Sequence, residues 1–274
     1  MKKKTLKLMV SALLVTMMGT VAVGCGEKTP ETSKIAISGS TSVGPLMEKF
    51  AKEFQGKNEE VTIEINQTGS SAGIKDAING VSEFGMSSRD LKDEEKSQVD
   101  STLIAYDGIA VITNTANTVK ELTKDQVKGI YTGKITNWKE VGGKDAPIVV
   151  VSREEGSGTR SAFEEIVGYK SEELVKEAQI ADGSGNIKTT VKGNENAVGF
   201  VSFEYLDDSI GALNIDGVQP TAEKVKSKEY KLSRGFLLVN KKGEVSEAGK
   251  KFVDWILSDE GQTMAEANGA IKLK

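Results

Sequence analysis

The chain has 274 residues, 38% of them hydrophobic and 28% charged, with a formal net charge of −4. That balance suits a soluble globular protein of one large or two smaller domains, and it lacks the basic surplus that nucleic-acid binding calls for. Histidine is absent, which removes the commonest general base and the commonest metal ligand together, and Cys25 is the only cysteine, so no disulfide forms within the chain.

The chain opens on Met1-Lys2-Lys3-Lys4, followed by a small, apolar, uncharged run from Leu8 to Gly24 and then Cys25. This pattern reads as an export signal, residues 1–24, ending at a lipid-modified Cys25. The place three before the cysteine holds Ala22 where the usual lipoprotein box has leucine. The run is short for a membrane span. Residues 25–33 are polar, contain Pro30 and read as a flexible tether.

From here a unit of strand, hydroxyl-rich turn and helix recurs. Lys34 to Ser38 is a short strand, Gly39-Ser40-Thr41-Ser42-Val43-Gly44-Pro45 a turn, and a helix runs to about Phe54 with Leu46, Phe50 and Phe54 on one face. Val61 to Asn66 alternates as a half-buried strand, Gly69-Ser70-Ser71-Ala72-Gly73 turns, and Ile74 to Ile78 opens a helix. The second turn matches the Gly-x-Ser-x-Gly elbow of serine hydrolases, but a triad needs a histidine to take the Ser71 proton. Val81 to Met86 leads into Ser87-Ser88-Arg89-Asp90-Leu91, and Lys92 to Glu95 begins a surface helix. Ile104 to Ile112 is apolar enough for a central strand, with Asp107 embedded in it. A helix capped near Thr123 runs to Tyr131, with Trp138 packing beside it.

Val149-Val150-Val151-Ser152-Arg153 is a β-branched strand that breaks into Glu154-Glu155-Gly156-Ser157-Gly158-Thr159 and resumes as a helix from Ser161 to Val167. Such a turn aims unpaired N–H groups and the positive end of a helix dipole at whatever lies above it. Two glycines allow close approach, Ser157 and Thr159 add hydroxyls, and Arg153 adds a forked cation: these are the parts of an anion cradle. It is not a nucleotide loop, which needs Lys followed by Ser or Thr after its last glycine. Ala181 to Gly185 is a further glycine-rich turn, Ala197 to Ser202 a buried strand and Ser233 to Asn240 a long late strand. Two amphipathic helices, 247–257 and 259–267, close the chain. Strands alternating with helices make this an α/β protein.

The four turns at 39–45, 69–73, 85–90 and 153–159, with Tyr131-Thr132-Gly133-Lys134-Ile135-Thr136-Asn137-Trp138, Ala197-Val198-Gly199-Phe200 and Leu232-Ser233-Arg234, resemble the signatures of phosphate-binding proteins, the solute receptors of ATP-driven phosphate importers. The resemblance covers the chain after the tether. It implies a two-lobed, periplasmic-binding-protein-like (type II) fold with two crossover strands, near Ile112 and Phe236. Lobe one would be 34–112 plus 236–274, and lobe two 113–235. It further implies a receptor rather than an enzyme, without cofactor or metal, working as a monomer that is lipid-anchored at Cys25 and delivers inorganic phosphate to membrane permease subunits. Its phosphate-binding set would be Thr41, Ser42, Ser70, Ser88, Arg153, Ser157, Gly158 and Thr159. Ser88 stands where many members carry an aspartate.

A desolvated phosphate must replace its water shell with fixed donors. A carboxylate that takes the phosphate proton would repel unprotonated sulfate. Asp90, Asp107 and Glu155 are candidates for that acceptor; a salt bridge to Arg89 is the alternative for Asp90, and a solvated turn for Glu155. The competing functions are a receptor for sulfate, molybdate or another oxyanion, a secreted esterase or phosphatase using Ser71 or Ser157, and an adhesin or sensor that keeps the fold.

Overall fold

A computed structural model describes residues 32–273; the segment read as an export signal, Cys25 and most of the segment read as a tether lie outside the described residues. In chain order the elements are β1 (Ser33–Gly39), α1 (Gly44–Lys57), β2 (Val61–Gln67), α2 (Ser70–Ile78), β3 (Phe84–Ser87), α3 (Asp93–Lys96) and β4 (Val99–Thr113). There follow β5 (Glu121–Leu122), α4 (Lys124–Tyr131), β6 (Val149–Arg153), α5 (Gly158–Val167), β7 (Gln179–Ala181), α6 (Ser184–Lys192) and β8 (Ala197–Ser202). Last come β9 (Gly211–Ala212), β10 (Asn214–Ile215), α7 (Ala222–Lys226), β11 (Ser233–Lys241), α8 (Glu247–Leu257) and α9 (Asp259–Ala267).

The main sheet runs β2-β1-β3-β11-β4-β8-β6-β7. β1 pairs parallel with β2 and β3, and β6 pairs parallel with β7 and β8, as expected of strands joined through helices. β11 and β4 are the antiparallel centre. β4 changes partner within its length: Val99–Gly108 lies along β11, and Ile109–Thr113 along β8. The exchange thus falls a few residues before Ile112. A register shift between Phe236 and Leu237 marks the same region on β11, where an irregular ladder adds local twist.

The apolar side chains divide accordingly. One core gathers Ile35, Phe50, Phe84, Ile104, Phe236 and Phe252; the other gathers Ile109–Ile112, Tyr131, Trp138, Phe163, Phe200 and Leu232. In the second core Phe163 and Phe200 stack with ring centroids 4.1 Å apart, and Tyr131 meets Phe163 edge-on at 4.8 Å. The result is a two-lobed α/β fold joined through β4 and β11. β1, β2 and β3 run the same way and place their following turns at one end of their half, while β8 and β6 run the opposite way in the other half, so the turn after β6 points back toward those after β1, β2 and β3.

Helix starts follow local chemistry. Ser246 and Ser258 accept from the N–H of Gly249 and Gly261, which fixes the first turns of α8 and α9. Thr123 and Gln126 form a capping box on α4. α5 starts at Gly158, earlier than the Ser161 read from the sequence, because Ser157 is its cap, its Oγ accepting from the Arg160 N–H at 3.2 Å. Among the described residues no helix is long and apolar enough to cross a membrane.

Candidate functional site

Five hydroxyl-bearing turns converge between the two cores. In the turn after β1, Ser40 Oγ accepts from the Ser42 N–H at 3.2 Å and donates to Ser88 Oγ at 2.9 Å, in the turn after β3. Ser70, at the first position of α2, accepts from the Ser88 N–H at 3.2 Å and lies 3.3 Å from the Ser88 hydroxyl. Ser42 crosses to the other side: its hydroxyl is 2.7 Å from Thr159 Oγ1 in the first turn of α5 and 3.0 Å from Ser184 Oγ at the start of α6. Thr41 Oγ1 is 3.2 Å from Ser184 Oγ and accepts from the Ser184 N–H at 3.3 Å. Ser42, Ser70 and Ser88 are completely buried, so each hydroxyl depends on these partners for its hydrogen bonds.

The helices make the cluster electropositive without full charges. α2, α5 and α6 begin at Ser70, Gly158 and Ser184, so the positive dipole ends of three helix starts lie at the cluster. Glycine is required at two places here. A Cβ on Gly158 would stand 2.2 Å from Ser70 Oγ and 2.8 Å from Ser88 Oγ. Gly183, just before Ser184, has φ +80°, which an L side chain rarely adopts.

Arg153, at the end of β6, is the buried cation of the cluster. Its Nη1 donates to Ser184 Oγ at 2.9 Å and its Nη2 to Thr41 Oγ1 at 3.1 Å. The other edge of the fork meets Glu154, with Nε to Oε2 at 2.6 Å and Nη2 to Oε1 at 2.5 Å. Glu154 Oε2 also accepts from the Gly183 N–H at 3.1 Å. Burial pushes the Glu154 carboxyl up, but the Arg153 guanidinium and the Gly183 N–H outweigh it and leave the pKa below its ordinary value. Tyr205 closes one side, donating to the Thr41 carbonyl at 2.8 Å.

The structure therefore brings together Thr41, Ser42, Ser70, Ser88, Arg153, Gly158 and Thr159. Ser157 is buried next to them, its hydroxyl engaged as the α5 cap. Ser40, Glu154, Ser184 and Tyr205 join the cluster without having been singled out in the sequence. Ser184 was signalled by the glycines on either side of it, but nothing linear joins it to Arg153.

The proton-acceptor candidates lie elsewhere. Asp90 is exposed, and the salt bridge offered as its alternative is absent: the Arg89 guanidinium takes both oxygens of Glu95 at 2.8 Å and touches Asp90 only at its carbonyl. Asp107 is buried, but its carboxylate accepts from Ser202 Oγ at 2.8 Å and from Arg234 Nη2 at 2.9 Å, with no hydrogen bond to the cluster. Burial pushes Asp107 above its ordinary value and Arg234 below its own, and the attraction between them opposes both shifts. Glu155 is exposed on an open groove of about 940 Å³ outside the turn, with Ser71, Lys92 and Arg160. Among the described residues no group of His, Cys, Asp and Glu could hold a metal ion.

Such a cluster suits a small, multivalent, tetrahedral anion. It offers hydroxyls that both donate and accept, N–H groups at three helix starts, and one guanidinium partly neutralised by its neighbour.

Comparison with known proteins gives four findings. Residues 26–260 match the family model described as the PBP superfamily domain. The phosphate-binding protein PstS of Bacillus subtilis (strain 168) is 33% identical over 281 residues, covering 96% of this chain and 91% of that protein. A Clostridium perfringens structure described as a phosphate ABC transporter substrate-binding protein with bound phosphate is 61% identical, with a TM-score of 0.87, covering 88% of this chain and 100% of that one. An ABC-type phosphate transport receptor from Vibrio cholerae is 36% identical, with a TM-score of 0.74 and coverage of 88% and 100%.

Proposed function

The chain belongs to the PBP superfamily and, within it, to the phosphate-binding proteins, and from that premise we propose that it is an extracytoplasmic receptor that binds inorganic phosphate between its two lobes and delivers it to an ABC-type importer. The observation that carries this reading is the meeting of the Thr41–Ser42, Ser70, Ser88 and Thr159 hydroxyls beside the buried Arg153 fork. Bound phosphate takes over hydroxyls that here bond one another, so the donors are already aimed inward. Charge-assisted hydrogen bonds contribute about 1.5–3 kcal/mol each, and micromolar affinity needs only about 8 kcal/mol net, which leaves room for desolvation and lobe closure.

The proposed ligand set is Thr41, Ser42, Ser70, Ser88, Arg153, Ser157, Gly158 and Thr159, to which we add Ser184. With Asp90 exposed and Asp107 held by Arg234, we assign the phosphate proton to a hydroxyl lone pair, Ser88 being the candidate because it already accepts from Ser40. The lobes we propose are 34–112 plus 236–274, and 113–235, moving about β4 and β11. Export through residues 1–24, lipid attachment at Cys25 and action as a monomer complete the reading. No catalytic residue is assigned, since the chain has no histidine to activate Ser71.

Isothermal titration with phosphate, sulfate and molybdate tests the assignment. Tightest binding is expected for phosphate, and a preference for sulfate or molybdate overturns it. Incubation with a chromogenic phosphate ester is expected to give no sustained turnover; turnover would turn the reading toward an enzyme.

A further inference from the structure

Glu204 makes no hydrogen bond to the hydroxyl cluster, yet it stands where the two cores meet. It lies in the short 3-10 turn Phe203–Tyr205 after β8, and Phe203 belongs to the core of Ile109–Ile112 and Phe200. The same turn faces elements of the other core. A Cβ on Gly269, just after α9, would lie 3.7 Å from Glu204 Cα, and Tyr205 bonds the Thr41 carbonyl. Both Glu204 carboxylate oxygens are buried and have no hydrogen-bond partner among the described residues. An ionised carboxylate in that position has lost its water and gained nothing in return.

The charges facing it do not repair this. Asp107 of β4 repels a second anion. Lys49 of α1 and Arg234 of β11 favour ionisation, but the Lys49 ammonium donates to Asn268 Oδ1 at 2.6 Å, and Arg234 spends Nε and Nη2 on Asp107 while its buried Nη1 makes no hydrogen bond to Glu204. Tyr205, on the same turn, is a neutral phenol whose own pKa is raised to about 12 by burial. Burial, with the Asp107 charge adding to it, pushes the Glu204 carboxyl up to about 9.

We propose that Glu204 is a proton-linked latch between the lobes, protonated while the 203–205 turn is packed against the Thr41 turn and Gly269, and ionised once the turn parts from them and the carboxyl meets water. The proposal rests on the reading of the protein as a phosphate receptor whose lobes close on the anion. Closure then takes up a proton. Between the ordinary carboxylate value in the open form and about 9 in the closed form, each unit rise in pH weakens this contribution to phosphate affinity about tenfold. Below that window both forms are protonated and above it both are ionised, so the contribution is flat.

The test is titration calorimetry of phosphate into the wild-type protein and Glu204→Gln, in buffers of different ionisation enthalpy at pH 7 and 8. Wild type is expected to take up close to one more proton per phosphate than the variant. The ratio of variant to wild-type affinity is expected to rise about tenfold between the two pH values. Equal proton counts and parallel pH profiles overturn the latch and leave the receptor reading standing; failure of the wild type to bind phosphate overturns both. Infrared difference spectroscopy of phosphate-saturated wild type needs no folded variant: a protonated carboxyl band titrating near pH 9 supports the latch, and its absence at pH 7 overturns it.

Discussion

Arg153 divides its donors between Glu154 on one edge and the Thr41 and Ser184 hydroxyls on the other. Arg153→Ala is expected to weaken phosphate binding by at least about 1.5 kcal/mol, because a charge-assisted donor is lost while the surrounding hydroxyls remain. Arg153→Lys is expected to recover only part of the loss, since a point cation cannot hold both edges at once. Calorimetry checks both, with circular dichroism to show that the fold persists. Gly158→Ala is expected to lower affinity at least tenfold and stability by about 1–3 kcal/mol, because the added methyl overlaps Ser70 Oγ and the backbone must shift. If Ser88 accepts the phosphate proton, it does so without a charge, and its repulsion of sulfate is mild. Ser88→Asp is then expected to raise the phosphate-to-sulfate affinity ratio about tenfold or more, read from parallel titrations.

Between elements, the sheet order decides which turns meet, and the helix caps decide where each helix points. Ser246→Ala removes the cap of α8 and is expected to cost about 1 kcal/mol of stability in denaturant unfolding, with phosphate affinity unchanged because α8 lies away from the cluster. α8 and α9 were legible in the sequence from their apolar periodicity, and the structure adds the Ser246 and Ser258 caps that start them. The start of α5 was read late because the periodic signal begins after the glycine turn, whereas the capping hydroxyl of Ser157 begins the helix within it. β4 was read as a shorter strand because Asp100 to Leu103 are polar or only partly buried and carry no apolar run, and only their pairing with β11 reveals them as strand. Ser184 and the Arg89–Glu95 pair were illegible for the same reason. Their partners are chosen by how turns fold back in space, and Asp90, adjacent in sequence to Arg89, loses to Glu95.

For the whole molecule, the two strands that join the cores also carry the buried Arg234–Asp107 pair, which ties β11 to β4 at the exchange of partners. Asp107→Asn is expected to destabilise the protein by about 3–5 kcal/mol in thermal or denaturant unfolding, because Arg234 would stay buried without its counter-charge. Phosphate at 100 times its dissociation constant is expected to add about 2.7 kcal/mol to the unfolding free energy, which a melting series in increasing phosphate reads directly. The sheet order has a consequence for how the protein is made. β11 lies between β3 and β4, although more than a hundred residues separate it from either in the chain. As synthesis proceeds, β3 and the first half of β4 have no neighbour to join them until residue 241 has emerged. Their half of the sheet therefore cannot be completed early, and such distant pairing is slow to form. For a chain that we propose is exported, the late arrival of its central strand prolongs the interval in which a translocation channel can still thread it.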